Sequence, residues 1–483
     1  MAYTHGIYVQ ENPTSIIAPI TADSAVQFVV GTAPINLLAD PSSAVNKPSL
    51  VYSFKEAQEK IGYSDDFEKF SLCQSIDASF RVFNVAPLLL INVLDPAVHV
   101  AIVDAELLDI VNKIVTIEEE GILLNETFVV KDEAGLEPYV KDTDYTVEFI
   151  GVGYPQITVL IDGTIGVATK LSVSYNQLDP TMVTEAEIVG GYDSATAKYK
   201  GLENITLIYP MFGIVPGLIL SPGWSHKPTV SAAITAKYEG INGSFKANGV
   251  KDIDTIEVTE YTQANAWKND NSYINKHDIV CWPMVKIGDK KYYKSALVAA
   301  LIAYTDASND NVPFVSPSNK SLRITGTILD DGTEVYLDQV QANLLNGQGI
   351  VTAINVNGWK LWGNNTGIYP SSTDPKDRWI PVRRMFDWWG NSFIMTYFQK
   401  VDDPMNRRLI EAVVDSENIR ANGYKARFQL ADARIEFNAV ENPITDLLNG
   451  TIQFKQYLTP FAPAETMINV LEFDPTALTA ALE

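Results

Sequence analysis

Hydrophobic and polar positions follow three patterns along this chain, and the changes of pattern divide it. AVQFVVGTAP (25–34) and LLLINVL (88–94) are continuous apolar runs of strand length, as expected of strands buried on both faces. Between them, Ser53 and Glu56 form a capping-box pattern that opens a short helix up to Gly62. Phe70, Cys73, Ile76, Phe80 and Phe83 fall on one face of a helix predicted over 67–84. Strand, helix, helix, strand is the order of an α/β layer. From about 95 to 187 the segments are short and β-like: KIVTI, ETFVVKD, YTVEFIG, QITVLID and LSVSYNQ, separated by Gly, Asp and Pro turns. They predict a small antiparallel sandwich or barrel inserted into the α/β domain. After GGY (190–192) the first pattern returns. GLILSPG (217–223) predicts a strand and turn, and KPTVSAAITAKYEGI a helix with Pro228 in its first turn. KHDIVCWPMVKI (276–287) is β-like and broken by Pro283. SALVAALIAYTDA (295–307) is apolar almost all round, hence a buried helix, and GIVTAIN (349–355) is another buried strand.

The last third differs. RRMFDWWGNSFIMTYFQ (383–399) sets Met385, Trp389, Phe393 and Tyr397 four apart, a helical stripe. Asp403 and Pro404 are expected to start a second helix as cap and first residue, with Leu409 and Val413, Ile410 and Val414 as its apolar face and Gly423 as its end. Three β-like stretches follow: ARIEFNAV, TIQFKQYL and ETMINVLEF. The expected class is therefore a multidomain α/β (α+β) chain. It has an N-terminal arm (1–20), a discontinuous α/β core (21–94 and 188–355), an inserted β-rich domain (95–187), a C-terminal domain (356–464) and a C-terminal arm (465–483).

Both ends look like strands without a local partner. THGIYVQE alternates around Ile7 and Val9 before Pro13 and Pro19; TMINVLEF follows the Pro-containing tether LTPFAPAE and is apolar on both faces. An unpaired apolar strand is an aggregation hazard unless something pairs with it. The expected solution is donation of Ile7, Tyr8 and Val9, and of Ile468, Val470 and Leu471, to sheets of neighbouring copies. A head-to-tail contact that does not close makes a helical filament.

Charge sharpens the division. The formal net charge is −23, which argues against nucleic acid or an anionic membrane as partner. Residues 95–187 carry 18 Asp and Glu against four Lys and no Arg, a net of −14. Eight of the ten Arg lie between Arg378 and Arg434, and residues 376–434 net +3. Two faces with different partners are one reading of this asymmetry; an ordinary solvated surface is the other. No apolar run is long enough for a transmembrane helix. The opening MAYTHGIYVQENP has no basic region followed by an apolar one, so no secretory signal is expected. Cys73 and Cys281 are expected to be buried thiols in a reducing compartment.

Candidate chemistry is sparse, and no cofactor or metal is expected. His277 and Cys281 are four apart, but on a strand that separates them by about 13 Å, and no second pair completes a zinc site. Ser225 and His226 in GWSH are adjacent, so on an extended chain they point to opposite faces. There is no G-x-S-x-G elbow, and GVG (151–153) lacks the third glycine of a dinucleotide loop. Residues 355–389 hold five of the eight Trp, for which packing of a small domain competes with a carbohydrate platform.

Taken together, several passages resemble the tail sheath proteins of contractile-tailed bacteriophages and R-type bacteriocins. They are GIYVQENPTSIIAPITADSAVQFVVGTAP, GLILSPGWS with VSAAITAKYEGINGSFKANGVKDID, KSALVAALIAYTDASNDNVPFVSPSNKSL, INVNGWKLWGNNT with its Gly358, Trp362 and Gly363 turn, WIPVRRMFDWW, NPITDLLNGTIQF and PAETMINVLEF. The resemblance implies a structural polymer rather than an enzyme, with a core that is subtilisin-like in shape. It implies stacked hexameric rings around an inner tail tube, arms that add strands to neighbouring subunits, and contraction released by a baseplate. Partners would be further copies, the tube protein, and baseplate and tail terminator proteins, in a virion or phage-like particle assembled in the bacterial cytoplasm. The insertion would face outward and the C-terminal domain inward, with Lys400, Arg407 and Arg408 toward the tube. The alternative for the arginines is pairing with Glu411 and Asp415 on their own helix. Another self-assembling surface or adhesin protein, or a hydrolase on the α/β core, are the competing functions.

Overall fold

The computed structural model describes residues 23–151 and 153–482. An eight-stranded sheet runs through its centre in the order Trp359–Trp362, Ile350–Asn355, Asp278–Cys281, Asn248–Asp252, Leu218–Leu220, Gln27–Gly31, Leu88–Asn92 and Ser49–Val51. The six inner strands are parallel, and one antiparallel strand lies along each edge. Inner strands are covered on both faces, which is why they read as unbroken apolar runs. Alternate side chains of Asn248–Asp252 identify the two covering layers. Lys251 donates to Thr235 of the helix Pro228–Lys237 at 2.7 Å; Asp252, pointing the other way, accepts the Ser295 amide of the helix Lys294–Ala307 at 2.9 Å.

The helices bracketing the first two strands form for the local reasons expected, with one difference. Ser53 caps Phe54–Ile61 by accepting the Glu56 amide at 3.2 Å, and Gly62 (φ 81°) ends it. The helix predicted over 67–84 instead starts at Leu72 and widens from Leu72–Ile76 into the π-helical Asp77–Phe83, stopping at Asn84 in the left-handed region. Val100–Asp109, which the alternation did not single out, pairs along its length with Lys170–Leu178 across a bulge between Val103 and Glu106. With Val129–Lys131 it forms one three-stranded sheet; Ile114–Thr116, Tyr154–Val159 and Tyr145–Ile150 form a second. Val115 and Ile157 from one sheet and Val130, Val173 and Tyr175 from the other share a core separate from that of the central sheet.

Two expectations in the last third are corrected. The strand Trp359–Trp362 pairs antiparallel with Ile350–Asn355, so the central sheet continues past the boundary drawn at residue 355. The second helix runs from Arg407 to Ala426, not from Pro404 to Gly423. Asn406 is its cap, accepting the Leu409 amide at 3.0 Å, a role that an Asn side chain performs as well as Asp. Gly423 does not end it because Tyr424, one residue on, is buried against Trp388 and Trp389, and that packing extends the helix. Residues 466–473, expected to lack a local partner, form no strand among the described residues, and a helix, Pro475–Leu482, follows them.

Candidate functional site

The place where a doubly wound sheet ordinarily holds a ligand is filled. Strand order reverses between Gln27–Gly31 and Leu218–Leu220, and ligands bind at the carboxyl ends of such strands. Here the chain at 69–72 plugs that position. The Thr32 hydroxyl donates to the Lys69 carbonyl (2.8 Å), the Ser71 amide to Thr32 Oγ1 (3.0 Å) and the Leu72 amide to the Thr32 carbonyl (3.0 Å). A Cβ added to Gly31 would come within 2.4 Å of Ser71 Oγ.

Ser225 is fully buried and its Oγ donates to Asp252 at 3.1 Å; His226 stacks on Tyr293 at 5.3 Å, and burial lowers its pKa to about 4. His277 is occupied by Asp387 at 3.0 Å, and burial pushes the Cys281 thiol well up, away from the thiolate a metal needs. Among the described residues no group of three or more potential metal ligands occurs. Nor, among them, is any helix long and apolar enough to cross a membrane.

The Trp-rich stretch separates into three parts. Trp359 and Trp362 lie on the edge strand of the central sheet. Trp379 is buried at the junction, with the Arg378 guanidinium 3.9 Å over its ring. Trp388 and Trp389 meet edge to face at 5.9 Å and, with Met385, Ala421, Tyr424 and Leu430, make the core of the C-terminal part. Arg420 lies flat on Trp389 at 3.8 Å and pairs with Glu417 at 3.2 Å, both buried. Packing therefore accounts for Trp388 and Trp389, with no open aromatic platform.

The residues expected to mediate assembly are distributed as follows. Ile7, Tyr8 and Val9 lie outside the described residues. Ile468, Val470 and Leu471 are 84%, 81% and 87% exposed, and Met467 and Phe473 beside them are equally uncovered. Such a continuous apolar segment is not left in water by a finished assembly. A second feature was not visible in the sequence. Asp432–Glu436 and Lys455–Thr459 form a sheet of two strands, so both of its outer edges are unpaired among the described residues. An open groove of about 710 Å³ runs beside it, lined by Ile410, Val414, Ile435, Phe437, Leu447 and Leu448. The sequence had grouped Ile410 and Val414 with Val413 on one apolar face; Val413 goes to the core and the other two to the groove.

Lys400 ends a short turn and pairs with Asp403 at 3.3 Å. Arg407 and Arg408 are exposed at the start of Arg407–Ala426, and Arg407 pairs with Glu411 at 2.7 Å. The same-helix alternative is thus realised for Arg407. Two cations at the positive end of a helix dipole gain nothing from that dipole.

No family model matches the chain. It is 28% identical over 487 aligned residues to the tail sheath protein of Burkholderia phage BcepMu, spanning 96% of this chain and 95% of that one. It is 24% identical to the tail sheath protein of Escherichia phage P2, over 59% of this chain and 69% of the relative. Among solved structures, the contracted sheath of the extracellular contractile injection system PVC is similar over 99% of both chains, with a TM-score of 0.58 at 14% identity. The contracted helical sheath of the anti-feeding prophage has a TM-score of 0.57 at 14% identity, covering 98% of this chain and 100% of that one. These relatives are structural sheath proteins and not enzymes. The chain is similar in sequence, over nearly its full length in the first case, to the tail sheath proteins of phages and prophages.

Proposed function

We propose that the chain is the structural subunit of a contractile sheath. It stacks as six-membered rings around an inner tube and drives that tube through a cell envelope when a baseplate releases it. The observation that carries this reading is one chain bearing both halves of a contact: an uncovered apolar segment at 467–473 and a two-stranded sheet with unpaired edges at 432–459. A segment left uncovered among the described residues and a sheet with edges open to a further strand are the components of strand addition between copies. The α/β core, subtilisin-like in shape by the resemblance, is on this reading a rigid body, and the arms at 1–20 and 465–483 are the soft links.

Contraction is then rigid-body movement of the cores with the arms as hinges. Each additional 100 Å² of apolar interface contributes on the order of 2.5 kcal/mol gross, before ordering costs. The insertion at 95–187, with its net charge of −14, faces outward into solvent. Deletion of 465–483 is expected to leave a folded, soluble subunit that forms no ordered polymer, and deletion of 1–14 to do the same. Ordered tubes from either truncated chain would refute donation by that arm.

We assign the tube-facing role to Lys400, Arg407 and Arg408, in a segment that nets +3 on an otherwise acidic chain. Among the described residues no ion pair explains the place of Arg408 at the positive end of a helix. Reversal of all three charges is expected to abolish co-assembly with the tube protein while sparing polymerisation of the sheath alone. Co-assembly that survives the reversal would remove the assignment.

A further inference from the structure

Two of the arginines in the Trp-rich segment each hold the root of one arm. On the N-terminal side, Ser24 lies three residues before the start of the central strand Gln27–Gly31. Its carbonyl accepts from Arg384 Nη2 at 3.1 Å, and its hydroxyl donates to Asp306. Arg384 and Asp306 form a bidentate pair in which each side chain is 2% exposed. On the C-terminal side, Glu465 is the last residue before the uncovered segment. It accepts from Arg378 Nη2 at 2.7 Å, while Arg378 Nε donates to Asn365 at 2.8 Å.

Arg378 and Arg384 are fixed to each other. Arg383 bridges Asp377 (3.1 Å) and Asp387 (2.8 Å), and Asp387 continues to His277 (3.0 Å) and Asn248 (3.1 Å) at the central sheet. The two roots differ in one respect. The Arg384–Asp306 pair is sealed from solvent, whereas the side chains of Arg378 and Glu465 are 21% and 38% exposed. A solvent-reached single pair is weak and screened by salt; a buried bidentate one is neither.

We infer that residues 377–387 are a common anchor for both arms, permanent at the N-terminal root and releasable at the C-terminal root. Load on the N-terminal arm enters the helix Ile380–Tyr397 at Arg384; load on the C-terminal arm enters the helix Pro375–Arg378 and reaches the first helix through Asp377 and Arg383, and both pass through Asp387 to the core sheet. The C-terminal root, tied by one exposed pair, is the one that swings when neighbours move. The inference draws its purpose from the sheath reading, but its test does not need a polymer.

The test uses the isolated full-length subunit. A spin label at a cysteine replacing exposed Thr466 reports the C-terminal root, the native Cys73 and Cys281 being buried. Hydrogen exchange of the Gly217 amide, which donates to the Val26 carbonyl at 3.0 Å, reports the N-terminal root. Arg378→Gln, or 1 M salt on the parent chain, is expected at least to double the mobile fraction of the label and leave Gly217 exchange unchanged. The exchanged pair Arg378→Glu with Glu465→Arg is expected to restore order. Arg384→Met with Asp306→Leu is expected to raise Gly217 exchange at least tenfold with the label unaffected. Ser24→Ala, a milder change should the double variant not fold, is expected to raise it severalfold. A label no more mobile in Arg378→Gln, salt loosening both roots alike, or Gly217 exchange unchanged in Ser24→Ala would each overturn the anchor. A subunit that passes these tests and never polymerises would contradict the sheath reading alone.

Discussion

At the scale of single residues, the polar groups buried under the central sheet set the chain's response to pH. Asp252 is buried between Ser225 and Ser295, and burial raises its pKa to about 6 against the donated hydrogen bonds and the nearby Lys294, whose own pKa burial lowers to about 7. Between about pH 4 and 6 the unfolded carboxyl is ionised while the folded one keeps its proton. The folded state then binds more protons, so its stability falls as pH rises through that window. Two pKa units correspond to about 3 kcal/mol. Asp252→Asn is therefore expected to remove up to that much of the decline between pH 4 and 6, measured by urea denaturation of the subunit. The same slope in parent and variant would refute it. Little of this scale was legible in the sequence. Arg384 and Asp306 are 78 positions apart, and Arg378 and Glu465 are 87 apart. No local spacing announces such pairs, and the arginines read only as part of a basic segment. Trp389 was legible because its helical stripe with Met385 and Tyr397 fixes which way it faces; Trp388, off that stripe, was not.

At the scale of elements, the expectations that held rest on local signals strong enough to act alone. Ser53 and Gly62 bound a helix from either end, and Pro228 starts another at its first position. Failures came where a tertiary contact outweighed a local preference. Gly423 reads as a helix end, yet it sits inside Arg407–Ala426, exposed, with no positive φ and nothing near the place a Cβ would take. A glycine there costs about 0.5–1 kcal/mol relative to alanine. Gly423→Ala is expected to stabilise the isolated subunit by roughly that amount in a denaturation midpoint; destabilisation would mean that the helix end is misassigned. Val100–Asp109 escaped notice for a different reason. Its bulge at Asp104 and Ala105 interrupts the alternation by which a strand is read, and six of its ten residues are polar, exposed or both. The segment 466–473 reads as a strand by composition, but a strand requires a partner's hydrogen bonds, and none among the described residues supplies them, as its lack of a local partner led one to expect.

At the scale of the whole molecule, the sequence reading and the structure agree on a mixed α/β chain of several sheets, similar over nearly its full length to contractile sheath structures. What the sequence could not supply is the proposed acceptor. Free strand edges and an open groove are properties of the folded surface, and only the donor segment leaves a mark in composition. The central claim is that this chain polymerises through its own arms. It is tested most directly by electron microscopy of the purified full-length chain beside the chain lacking 465–483, each with and without the partner tube protein. The account predicts hollow tubes of uniform width with sixfold end views from the full chain, and dispersed particles from the truncated one. Ordered tubes from both, or dispersed particles of the full chain even with the tube protein present, would contradict it.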